Sequence, residues 1–126
     1  MTITEKNAEW IKQQRKRMMT AVSELAGILA AANFDLVSSP KYLIEFEMGM
    51  SGNCIEIRVY DDNDVVEKID YWNMNCILDD PFGALNKGYI EEKVTAFLRE
   101  IARMKLCAEK YIKLNQQKQE SRQSKC

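Results

Sequence analysis

From Ile90 onward, apolar side chains recur at alternating steps of four and three, through Val94, Phe97, Ile101, Met104, Ala108 and Tyr111. An α-helix, at 3.6 residues per turn, gathers such positions into one stripe, and a stripe that narrow demands another surface to lie against. The spacing therefore predicts a long helix from Tyr89 to about residue 116 with a coiled-coil-like seam, followed by a polar, flexible tail over 117–126. A matching pattern opens the chain. Thr2-Ile3-Thr4-Glu5 fits the S/T-x-x-E capping box, and Met18, Val22, Leu25, Leu29 and Ala32 then repeat at helical spacing. This predicts a helix from about residue 4 to 32, with Asn33 as its C-cap. Its first half, Lys12-Gln13-Gln14-Arg15-Lys16-Arg17, is almost wholly polar and is expected to project past the core or meet a partner.

Between the helices the period changes from 3.6 to 2. Lys41–Met48 alternates Tyr42, Ile44, Phe46 and Met48 with Glu45 and Glu47, and Cys54–Tyr60 alternates Ile55, Ile57 and Val59 with Glu56 and Arg58. Gly49-Met50-Ser51-Gly52-Asn53 suits a hairpin loop, and Asp61-Asp62-Asn63-Asp64 suits a turn into a third strand at Val65–Asn73. A fourth strand through Met74–Leu78 is a further candidate. The expected fold is α+β: one domain over 1–116, with a short antiparallel sheet of three to four strands flanked by a long N-terminal and a long C-terminal helix.

Composition narrows the function classes. No stretch approaches the ~18 to 20 consecutive apolar residues of a membrane span, and the first residues do not read as a signal peptide, so the expected location is cytoplasmic. The cysteines, Cys54, Cys76, Cys107 and Cys126, form no C-x-x-C pair, and no histidine is present to complete a zinc site; they read as reduced thiols with no metal. Lacking histidine, the chain also lacks the usual general base near neutral pH, and it has no phosphate loop or dinucleotide-binding turn. The aspartates at 61, 62, 64, 79 and 80 pair up only where turns explain them. The expectation is a binding protein, not an enzyme, that needs no cofactor.

The net charge of −1 conceals an uneven distribution: +2 over residues 1–33, −7 over 34–90 and +4 over 91–126. Basic ends and an acidic middle suit self-association or a local anion pocket better than a broad nucleic-acid footprint. For such a pocket, the loop before the last helix offers Phe82 to stack on a base and Asn86 to read a base edge. Arg99 and Arg103, four apart on one helix face, are candidates to clamp phosphates, and Arg58 on the second strand is another.

This layout, two helices flanking a short antiparallel sheet with the Phe82 to Asn86 loop ahead of an arginine-bearing helix, resembles the phage anti-Thoeris nucleotide-sponge family. The resemblance implies a homo-oligomer in the host cytoplasm that sequesters a cyclic ADP-ribose-type immune signal without degrading it. It would place adenine against Phe82 and Asn86, with Arg58, Arg99 and Arg103 as phosphate candidates. A second reading comes from the acidic strands. A small inhibitor or adaptor of the anti-CRISPR type would present Glu45, Glu47, Glu56, Asp61, Asp62 and Asp64 to a basic partner such as a host defence protein.

Overall fold

The computed structural model describes residues 2–35, 40–49, 53–72, 74, 77–78 and 86–124, with side chains at all of these except 33–35 and 118–124. Helix α1 spans Ile3–Asp35. Strands β1 (Tyr42–Gly49), β2 (Cys54–Asp61) and β3 (Asp64–Trp72) follow, and α2 (Lys87–Ser124) closes the chain. The sheet is an antiparallel meander in the order β1-β2-β3, so the fold is the α+β arrangement that the two periodicities imply.

Local chemistry sets each boundary. The Thr2 hydroxyl accepts from the Glu5 backbone N–H at 3.1 Å and supplies an acceptor that the first turn of α1 lacks. Asn86 does the same for α2, its Oδ1 accepting from Tyr89 N–H at 3.0 Å. The hairpin between β2 and β3 pairs Asp61 with Asp64 and leaves only Asp62 and Asn63 to turn the chain. Asp62 adopts φ 56°, a left-handed conformation that a short polar side chain tolerates better than most.

The helices lie on one face of the sheet and run parallel to each other. Lys87 Nζ sits 5.5 Å above the Trp10 ring, and further along Leu98 lines a groove with Gln14 and Ala21, so residue numbers rise together along both helices. Three strands carry the chain back between them. The core gathers Leu25 and Leu29 of α1, Ile55, Ile57 and Val59 of β2, and Ile90, Val94, Phe97, Ile101, Met104 and Ala108 of α2. The four-three stripe of α2 is thus buried along its length. Phe97 packs edge-on against Tyr71, centroids 5.3 Å apart, and Tyr111 edge-on against Tyr42 at 4.9 Å.

Three boundaries differ from the sequence expectation. Met74 lies in a short 3-10 turn and Ile77 and Leu78 in a turn, with Met74 N–H bonded to Asn53 C=O, so the described residues of the proposed fourth strand do not form one. Helix α1 passes through Asn33 to end at Asp35. Helix α2 continues through the expected tail to Ser124, because Gln, Lys, Glu and Arg are good helix formers and no glycine or proline interrupts a helix already nucleated.

Candidate functional site

The face of the sheet turned away from the helices is the most distinctive surface. Alternation places Leu43, Glu45 and Glu47 of β1 there, with Cys54, Glu56, Arg58 and Tyr60 of β2 and Lys68, Asp70 and Trp72 of β3. The register assembles them into cross-strand rows. Glu45, Arg58 and Lys68 form one, Glu47, Glu56 and Asp70 the next, and Cys54 lies beside Trp72 in the third. Leu43, Glu45, Glu47, Lys68 and Trp72 are all exposed, so no described element lies over this face.

Three carboxylates side by side on adjacent strands repel one another, and the neighbouring row offsets this. Glu56, only 8% exposed, accepts from Arg58 Nε at 2.6 Å and lies 3.4 Å from Lys68 Nζ, which also reaches Asp70 at 3.7 Å. The hydrogen bond to Glu56 holds the Arg58 guanidinium well above its ordinary pKa. Glu45 and Glu47 have no ion-pair partner among the described residues. Burial, then the charges of Glu56, Asp70 and Glu47, push the Cys54 thiol up, which leaves it protonated and a poor nucleophile. The face therefore has an acidic field and an apolar margin that includes Leu43, Val65 and Trp72.

The sequence candidates for a nucleotide pocket are dispersed within one chain. Phe82 lies outside the described residues. Asn86 spends its side-chain oxygen on the cap of α2. Arg58 is on the sheet face opposite the helices and is held by Glu56. Arg99 and Arg103 are brought together on the solvent side of α2, where Arg103 holds Glu100 at 3.0 Å. Arg99 lies thirteen residues, about 20 Å, along the helix from Asn86.

Lys12, Arg15 and Lys16 surround Met19 on the exposed side of α1, a shallow cationic strip and not an enclosed cavity. Cys54 and Cys107 are free and buried, no described side chains group as metal ligands, and no described helix is long and apolar enough to cross a membrane. Sequence reasoning singled out Glu45, Glu47 and Glu56 but missed Lys68, Asp70 and Trp72. The Asp62-Asn63 turn sets Asp61 opposite Asp64 and Tyr60 opposite Val65, but a register shift between Val59 and Tyr60 then moves the pairing by one residue, so the turn alone does not place Lys68 and Asp70 beside Arg58 and Glu56.

Comparison with protein-family models, with curated proteins and with solved structures finds no match to the chain.

Proposed function

We propose that this protein acts by binding, without catalysis, and that the open face of its sheet is the surface that engages a basic partner protein. The observation that carries this reading is the cross-strand row Glu47, Glu56 and Asp70 beside the unpaired Glu45, set in a margin of exposed apolar side chains that includes Trp72, 53% exposed. An aromatic anchor on the same face as Glu45 and Glu47, which have no ion-pair partner among the described residues, matches a cationic surface: the charges steer encounter and the apolar margin holds the complex.

A lysine-rich peptide serves as the probe for this chemistry. The wild-type chain is expected to bind it with an affinity that falls as salt rises, and Glu45→Lys with Glu47→Lys to lose that binding while melting normally. Salt-independent binding, or unaltered binding by the double variant, removes the acidic face from consideration.

Sequestration of a cyclic nucleotide is the second reading. It is favoured by Arg99 and Arg103, two exposed guanidinium groups one turn apart on α2. Because Arg58 faces the other way, a pocket using all three arginines needs more than one copy of the chain. Native mass spectrometry with cyclic ADP-ribose isomers separates the readings. Uptake of one intact nucleotide per site, lost in Arg99→Ala or Arg103→Ala, supports the pocket; no uptake leaves the sheet face as the binding surface.

A further inference from the structure

A three-stranded sheet has two edges, and here they differ in chemistry. Asn115 of α2 donates from Nδ2 to Tyr42 C=O and accepts at Oδ1 from Tyr42 N–H, both at 2.9 Å, so the Tyr42 backbone groups point away from β2. Antiparallel alternation carries this polarity across the register. Ile44, Phe46 and Met48 then face the open edge of β1, Ile55, Ile57 and Val59 face β3, and Ile69 and Tyr71 face back to β2. The N–H and C=O groups of Lys68, Asp70 and Trp72 are left pointing out of the far edge.

Self-pairing of either edge about a two-fold axis must match residues of the same face. For β1 the register centred on Phe46 sets Glu45 against Glu47 twice, and those centred on Glu45 or Glu47 set one glutamate against its own copy. Like charges directly opposite are destabilising, which disfavours these three registers, and the one centred on Ile44 needs the Tyr42 backbone groups that Asn115 already holds. For β3 the register centred on Ile69 sets Lys68 against Asp70 twice and brings Trp72 towards Val66, the extra residue where the β2–β3 register shifts. The neighbouring registers, centred on Lys68 or Asp70, would oppose two lysines or two aspartates. Val66 and Trp72 are 46% and 53% exposed in the single chain.

We propose that β3 pairs antiparallel with β3 of a second copy, centred on Ile69, to make a continuous six-stranded sheet. The outward groups of Lys68 and Asp70 then exchange hydrogen bonds across the axis, and opposite charges meet above them. The inference rests on the edge of β3 alone and stands whether or not the acidic face binds a basic partner.

The test is sedimentation of the full chain across a concentration series, with amide hydrogen exchange at each concentration. The wild type is expected to dimerise. Asp70→Lys, which sets Lys against Lys twice, weakens the dimer by at least about tenfold, and adding Lys68→Asp restores it by swapping the pair. In the wild type, protection of the Lys68 and Asp70 amides rises with concentration, while that of Ile44, Phe46 and Met48 does not. A chain that stays monomeric throughout, or a dimer whose Lys68 and Asp70 amides exchange as they do in the monomer, overturns the proposal. A double swap that folds as the wild type does but fails to restore association overturns it as well.

Discussion

Asn115 occupies the position on α2 where the four-three repeat asks for another apolar residue, and it is 2% exposed. Its amide acts as a strand in miniature, matching both backbone groups of Tyr42 where β1 has no neighbour. Asn115→Leu is therefore expected to destabilise the protein by about 1 to 3 kcal/mol despite improving the apolar pattern, because it orphans an N–H and a C=O. A lowered urea midpoint with unchanged slope checks this. One turn earlier, Tyr111 donates to Glu67 and is pushed up to about 12 by that bond and by burial. Burial also pushes the nearby Cys107 thiol up to about 11, with Glu67 adding to it. Both groups are neutral when folded and ionise more easily when unfolded. Their contribution is full below pH 9 and is lost as pH climbs from about 9 to 12. Urea titrations across that range should show stability falling, and Tyr111→Phe should be less stable near neutrality with a shallower loss at the alkaline end.

At the scale of elements, α2 holds the fold together while its ends and outer side remain open to other uses. Its stripe meets both α1 and the sheet, so Phe97→Ala, at a fully buried ring in contact with Tyr71, should cost about 3 to 5 kcal/mol and lower the melting temperature accordingly. Asn86 is the decisive residue at its start. As a cap alone, Asn86→Ala costs about 1 kcal/mol and Asn86→Ser restores nearly all of it. If Asn86 also read a base edge, the serine variant would keep its stability and lose nucleotide uptake. Melting curves and native mass spectra on the same two variants separate the roles.

Among the described residues the sheet is one-sided: parallel helices cover one face, and no described element lies over the charged, partly apolar face. Two exposed glutamates on that face can be reversed at little cost to folding, within about 0.5 kcal/mol, so Glu45→Lys with Glu47→Lys should melt almost as the wild type does. If the β3 edges pair, the melting temperature should rise with protein concentration, since association stabilises by mass action, and Asp70→Lys should remove that dependence. Differential scanning calorimetry over a concentration series reads both. The six-stranded platform would also double the acidic face, presenting two copies of the Glu47, Glu56 and Asp70 row to one partner.

Periodicity was enough to determine the elements. The step pattern through Ile90, Val94 and Phe97 can be satisfied only by a helix, the alternation from Tyr42 to Met48 only by a strand, and Thr2 carries its own start signal. These are local constraints, written within a few residues of where they act. The end of α2 was missed for the same reason: the apolar stripe stops near residue 116, whereas propagation from the helix before it carries α2 to Ser124. The relation between distant residues was not local and could not be read that way. Arg58, Arg99 and Arg103 looked like partners in sequence, yet strand alternation turns Arg58 to the opposite side of the sheet from α2. Glu56 meets Asp70, and Asn115 meets Tyr42 across 73 positions, only once the register of two hairpins and the seating of a helix are set. Register is decided by which face becomes buried, and burial belongs to the packed whole and not to any segment of it.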